Sequence, residues 1–435
     1  CLSCDQVVGL KMAKIFYFHI RDQPTAEEKL AWFARTKFAE ITFEQVTPDA
    51  KGNWINLTDN DFDNFLPLVD KLVKAGKSNR AVFQLFSRGV ATQRDEWVYD
   101  FSPSALMEKM QYLVEVYQER LTQRTVRELD IKWDRELTNY ANRQIDKYFA
   151  ASQMVPGSYR PYVKKYLYFD QHFNGMTYQI PSIFPAQGDN LAICCTDAGS
   201  QKPFMTIACQ TIPDLHIVGA AASAQCLPLY RYDANGNRSE NITDWSLTQF
   251  QTHYSDATIT KLDIFHYTYA VLHHPAYRQK YEINLKREFP RLPFYGNFPQ
   301  WVQWGKTLMQ LHLNYETVAP YGLNCRDIAR KENPKAKLKA DPAQGIIMVD
   351  ENTLLEGIPP LAWEYQLGIR SALEWLLDQY KEKPPKDPTI REKFYTYRFT
   401  DYKEQVIDLL QRVCTVSVET MHIIEQMPAP VEEQG

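Results

Sequence analysis

Positive charge alternates with aromatic rings along Tyr159-Arg-Pro-Tyr-Val-Lys-Lys-Tyr-Leu-Tyr-Phe-Asp170. Basic groups neutralise phosphates and rings stack on bases, so the chemistry this pattern suggests is nucleic-acid binding. On an extended strand Lys164 and Lys165 point to opposite faces, one free to meet phosphates while the other packs among rings. Arg278, Lys280, Lys286, Arg287 and Arg291 make a second basic region. Lys331, Lys335, Lys337 and Lys339 make a third, in an expected loop around Pro334. For any one cluster alone, a solvated charged face is the plainer reading.

Other chemistries find less material. Cys1-Leu-Ser-Cys4 has CxxC spacing but no second ligand pair, and a zinc site needs four ligands. Cys194, Cys195 and Cys209 fall on expected strands, where buried thiols are ordinary core residues. His266 and His273 share a helix face beside His274, without the HExxH pattern of a metallohydrolase, so helix-end packing is the plainer reading. No GxSxG, Walker A or glycine-rich dinucleotide loop occurs, and 17 glycines offer little for phosphate cradles. Scattered acids such as Asp263 and Asp341 give no hydrolytic geometry by spacing alone. No catalytic set and no metal site is therefore assigned to this chain.

These residues need elements to hold them. The chain has 435 residues, enough for two to four domains, with 44% hydrophobic and 23% charged residues, an ordinary globular composition. Aromatics reach 13%, with 26 Tyr. The net charge of −4 argues against a wholly basic surface but leaves room for a local groove. No apolar run approaches the length of a membrane span. Eight scattered cysteines fit reduced thiols in the cytoplasm. The chain starts at Cys, which suggests a piece of a longer protein.

Strands are expected at residues 15–20, 41–46 and 81–86, with a helix capped by Thr25 and Glu28 running to about Arg35. Ser102-Pro103 opens a helix with apolar positions at Leu106, Met110, Leu113, Tyr117 and Leu121, and a second helix is expected over 135–149. Val155-Pro-Gly157 reads as a break. Short strands follow at 162–169, 191–195, 204–209, 215–218 and 226–229. Helices return from Thr243, with apolar stripes at Leu262, Phe265, Tyr269 and Leu272 and at Trp301, Trp304, Leu308 and Leu311. Further helices span 363–380 and 402–427, separated by a proline-rich break at 383–388.

Two stretches carry a family resemblance. Ser87-Arg-Gly-Val-Ala-Thr-Gln-Arg-Asp95 resembles a GV.T.RD segment found after the catalytic core of adenine-specific DNA methyltransferases of restriction systems. Arg160-Pro-Tyr-Val-Lys-Lys165 resembles the RPFDxR segment that opens their target recognition part, with Val163 in place of the acid that would orient the basic groups. Ile212-Pro-Asp-Leu-His216, Leu227-Pro-Leu-Tyr-Arg-Tyr232, Glu240-Asn-Ile-Thr-Asp-Trp245 and Leu272-His-His-Pro-Ala-Tyr-Arg278 continue the match. So do Asp263-Ile-Phe-His-Tyr267, Leu285-Lys-Arg-Glu288, Arg291-Leu-Pro-Phe294, Lys337-Leu-Lys-Ala-Asp341, Trp363-Glu-Tyr365, Ser371-Ala-Leu-Glu-Trp375 and Asp378-Gln-Tyr-Lys381. Over most of residues 85–425 the chain is similar to the C-terminal specificity domain of type ISP restriction-modification enzymes.

The resemblance implies an α+β protein. Residues 1–100 would be the end of an α/β methyltransferase domain, 101–155 a helical spacer, 156–427 a β-rich and then helical target recognition domain, and 428–435 a tail. It implies a bacterial phage-defence enzyme in which this chain reads double-stranded DNA and directs adenine-N6 methylation and cleavage. The methyltransferase, helicase-like and nuclease domains of the same protein would act upstream, using S-adenosylmethionine, ATP and Mg, and no cofactor is assigned to this chain. Arg160, Lys164, Lys165, Lys202, Arg231, Arg238, Arg278 and Arg287 are the expected DNA-binding residues, with the loops at 197–202 and 232–238 as candidate base readers. The alternative is a structural or protein-interaction module that docks a motor or partner without reading bases.

Overall fold

The computed structural model describes residues 14–20, 25–49, 52–55, 58–123, 130–219 and 222–429. The CxxC pair Cys1 and Cys4 lies outside the described residues, as does most of the expected tail. The chain divides into two compact units, residues 1–63 and 64–435.

In the first unit, β1 (Ile15–Tyr17) pairs antiparallel with β2 (Glu44–Val46), and α1 (Ala26–Arg35) lies between them in sequence. Thr25 and Glu28 form the expected reciprocal cap, and Phe18 stacks on Trp32 at 5.3 Å.

The second unit begins with β3 (Leu66–Pro67), α2 (Lys71–Lys74), β4 (Ser87–Arg88), α3 (Asp95–Val98), β5 (Tyr99–Asp100), α4 (Pro103–Gln123) and α5 (Arg135–Asn142). The strands β6 (Met154–Arg160), β7 (Val163–Tyr168), β8 (Ala192–Thr196), β9 (Thr206–Cys209), β10 (Ile212–Pro213), β11 (Ala224–Pro228), β12 (Tyr230–Tyr232) and β13 (Arg238–Glu240) follow. They build one sheet ordered β10-β6-β7-β5, a second ordered β4-β11-β8-β9, and the β12–β13 hairpin. Every residue of β8 and β11 is buried, including the polar Thr196 and Gln225. Cys194 on β8 lies 3.5 Å from both Cys209 and Cys226, so these thiols pack inside the sheet.

Helices α6 (Asp244–Tyr254), α7 (Lys261–His273), α8 (Pro275–Lys280) and α9 (Glu282–Arg287) come next, then β14 (Arg291–Leu292), which pairs with β3, and α10 (Phe298–Leu313). Gly305 is what lets α10 cross α7 closely. A Cβ there would sit 1.8 Å from the His266 carbonyl oxygen. An antiparallel sheet follows, from β15 (Asn324–Asp327), β16 (Ala336–Asp341), β17 (Ile346–Asp350) and β18 (Thr353–Glu356), and α11 (Pro360–Glu364), α12 (Ala372–Tyr380) and α13 (Lys403–Glu425) close the unit. The mixture of helices with several small sheets is the expected α+β class. Among the described residues no helix is long and apolar enough to cross a membrane.

Several local expectations change. Residues 81–86 form no strand; only Phe83 bridges to Ile242, because this segment bonds alternately to Pro67, Leu68 and Asn241. Val155-Pro-Gly157 is no break but the middle of β6. Its proline is tolerated because β10 accompanies β6 only at Gly157 and Ser158. The expected strand at 215–218 is a turn, since the Asp214 carboxylate accepts the His216 N–H at 2.8 Å and bends the chain. The second helix stops at Asn142, where Gln144 turns left-handed with φ 57°. Leu262 is 44% exposed and leaves the apolar stripe it was placed on. The basic loop around Pro334 runs directly into β16, whose sheet was not anticipated. The expected helix at 363–380 is interrupted by a hairpin that turns at Gly368, φ 70°.

Candidate nucleic-acid interface

Strands β6 and β7 are joined by Pro161-Tyr162, with Tyr162 in the left-handed region at φ 57°. Its ring is buried and its hydroxyl meets that of Tyr365 at 3.0 Å, which pins the turn to the helical half. This places Arg160 at the strand end, with its side chain only 10% exposed. The guanidinium donates to Asp214 Oδ1 at 2.7 Å and to the Tyr159 carbonyl at 2.6 Å, covers the Tyr159 ring at 3.9 Å, and has Asp95 at 3.8 Å. Burial raises the Asp214 pKa above the usual carboxylate range against the pull of Arg160. Three of the quoted stretches therefore converge here, through Asp95, Arg160 and Asp214. The orienting acid that Val163 does not supply comes from two distant segments. No spacing in the sequence points to that pairing.

Lys164 and Lys165 do face opposite sides. Lys164 forms an ion pair with Glu316 and lies over Tyr315 at 5.3 Å. Lys165 sits between the rings of Phe101, at 4.6 Å, and Tyr159, at 4.3 Å. Burial, aided by nearby Arg160 and Lys109, pushes its pKa down to about 8.

The other expected residues fall into separate places. Lys202 follows the turn after β8. That turn is tied to α9 by Gly199 N–H donating to the Lys286 carbonyl at 2.7 Å, so Lys202 lies on the side of the fold that carries exposed Arg287. Asp197 of the same turn holds Arg88 at 2.9 Å. Arg231 and Arg238 are both exposed on the β12–β13 hairpin, in register with Ser239 and Tyr232, and Arg238 covers the Tyr230 ring at 4.3 Å. The hairpin tip is stiffened by Asp233, which accepts the N–H groups of Asn235 and Asn237 at 2.8 and 2.9 Å, with Gly236 at φ 79°. The β8–β11 register pairs Ala224 with Thr196 and Pro228 with Ala192. The 197–202 turn and the hairpin thus leave opposite ends of one sheet.

Arg278 is drawn into the interior. Its Nε donates to the Leu272 carbonyl at 2.6 Å, one terminal nitrogen is buried without a partner, and burial lowers its pKa to about 10. Next to it lies a buried polar network. Tyr269 Oη meets His312 Nδ1 at 2.6 Å, and His312 Nε2 meets Thr420 at 2.8 Å. His312 thus ties α7, α10 and α13 together, while His273 Nδ1 bonds to the Tyr269 carbonyl at 2.8 Å within α7. In the third basic cluster, Lys331 and Lys337 converge on Glu351 at 3.1 and 3.3 Å. Asp263 caps α7 with Thr260, and Asp341 accepts the Gln344 N–H in a turn, so neither sits in a hydrolytic pair.

The comparisons agree with this architecture. The chain is similar to one in a cryoEM structure of a DrdV–DNA complex, at 46% identity and TM-score 0.87, over 96% of this chain and 43% of that one. It is similar to a nuclease-deletion mutant of the Type ISP restriction-modification enzyme LlaGI in complex with a DNA substrate mimic, at 28% identity and TM-score 0.76, over 95% and 33%. It also resembles the ATP-dependent Type ISP restriction-modification enzyme LlaBIII bound to DNA, at 27% identity and TM-score 0.77, over 89% and 26%. The chain spans less than half the length of each. No curated protein matches it. The family model of the Type ISP C-terminal specificity domain matches residues 81–409, and the chain belongs to that family.

Proposed function

We propose that this chain reads a duplex DNA sequence on behalf of a restriction-modification enzyme. Methyltransferase, helicase-like and nuclease domains of the same cytoplasmic protein would use S-adenosylmethionine, ATP and Mg to act on the site it selects. The observation that carries the reading is likeness along 96% of the chain to part of a protein solved with DNA. The β12–β13 hairpin gives it a mechanism. A two-stranded ribbon fits the major groove, and Arg231 and Arg238 have the planar donors suited to guanine edges or phosphates. Lys202, Lys286 and Arg287, at the far end of the sheet, suit phosphate contacts that set register. Arg160 serves differently: its ion pairs hold the β6–β7 turn.

The test is binding of the 435-residue chain to duplex DNA across a salt series, with Arg231→Ala/Arg238→Ala beside it. Affinity should fall steeply with salt, and the double variant should lower the salt slope by about 2 if both residues meet phosphate, or relax base preference if they read bases. Binding that ignores salt, or none, would overturn the reading in favour of a docking module.

A further inference from the structure

Lys165 opens onto a cleft of about 780 Å³ between β5–β7, the start of α4 and the segment from Arg370 to Tyr402. A second recess of about 360 Å³ shares Phe101, Lys165 and Tyr402 with it, so Lys165 stands where the two meet. The larger cleft is lined by seven lysines and arginines against four carboxylates, in a chain whose net charge is −4. It also carries eight aromatic side chains. Most of the cations inside are already matched: Lys109 by Asp100 at 2.7 Å, Arg160 by Asp214, and Arg370 and Lys383 by Asp378 at 3.5 and 3.0 Å. Lys165 has no carboxylate within ion-pair distance among the described residues, only the two ring faces.

We propose that this cleft takes a nucleotide of an unpaired DNA strand, with its phosphate on Lys165 and its base against the surrounding rings. The volume is that of a small-ligand site, and a duplex is too bulky to enter it. Positive charge that tracks a backbone, combined with rings that accept any base face, is the combination that single-stranded nucleic acid requires. The second recess continues past Lys165 toward Lys164 and Tyr166, which gives a strand a path on both sides of the contact. The low pKa of Lys165 fits a cation that lacks its counter-ion until a ligand arrives. The inference rests on the DNA-reading role for the source of the strand: opening a base pair leaves unpaired nucleotides beside the protein.

The experiment measures fluorescence anisotropy of the 435-residue chain with labelled pentathymidylate and with a labelled duplex. Lys165→Gln and Tyr402→Ala should each weaken pentathymidylate binding at least tenfold and leave duplex binding within twofold, and Arg231→Ala/Arg238→Ala should do the reverse. A 5-bromouracil pentanucleotide should photocrosslink, in the unmodified chain, to peptides containing Tyr159, Phe101 or Tyr402. Duplex binding without pentathymidylate binding would sink the cleft and leave the DNA-reading role standing. Failure of both ligands would sink both. Crosslinks elsewhere, or competition by free thymidine monophosphate as strong as by the pentanucleotide, would also overturn the strand site.

Discussion

Replacing Lys165 by Met should stabilise the protein at neutral pH. Burial and the neighbouring cations bring the Lys165 pKa from 10.5 to about 8. At about 1.36 kcal/mol per pH unit, keeping it charged in the fold costs about 3 kcal/mol. The rings of Phe101 and Tyr159 at 4.6 and 4.3 Å return about 0.5–1 kcal/mol each. Desolvation therefore wins, and Met, which keeps the apolar stem, should gain about 1–2 kcal/mol at pH 7. The sign with pH follows from the lowered value. Below about pH 8 both folded and unfolded chains carry the charge and the penalty is complete. Between about 8 and 10.5 the folded lysine is already neutral and the penalty fades. Urea unfolding of the two proteins at pH 7 and pH 9.5 measures this as a difference in midpoint. The Met variant should be ahead at pH 7 and lose most of its lead at pH 9.5. A Met variant less stable than the parent at pH 7 would refute the reasoning, because the ring contacts would then outweigh desolvation.

Gly305→Ala should unfold the second unit or cost more than about 4 kcal/mol, since its Cβ would fall 1.8 Å from the His266 carbonyl oxygen; circular dichroism melts read this directly. His312, held neutral by burial with its pKa pushed down to about 3, should make the fold acid-sensitive. Stability should be fully present above about pH 6.5 and fall by up to about 1.4 kcal/mol per pH unit below it. His312→Gln should flatten that slope in denaturant titrations at pH 7, 6 and 5, even if it lowers stability at pH 7.

Local signals in the sequence were strong where one segment decides its own fate. Thr25 with Glu28 fixed the start of α1, and Pro103 the start of α4, because a cap needs only neighbours within one turn. The mostly apolar runs expected as strands at 191–195 and 226–229 fall on β8 and β11 to within one and two residues, although β11 also buries Gln225. The ordered motifs from Ser87 to Lys381 point to the family by themselves, since a long series in fixed order carries far more information than any one member. Alternation along β7 correctly sent Lys164 and Lys165 to opposite faces.

What those side chains do there was decided by residues far away in the chain. Whether a cation is free depends on which carboxylate the fold brings to it. Asp214 and Asp95 reach Arg160 across 54 and 65 positions, and Glu316 reaches Lys164 across 152. Arg278 belongs by sequence to a basic run with Lys280, Lys286, Arg287 and Arg291, yet helix packing draws its head group inside. The β15–β18 sheet escaped notice because its outer strands β15 and β16 are largely exposed and its buried inner strands β17 and β18 span only five and four residues, so it is defined by partners and not by periodicity. Sequence fixes what each segment can be; burial and charge pairing are properties of the assembled chain, because both depend on atoms that only folding makes neighbours.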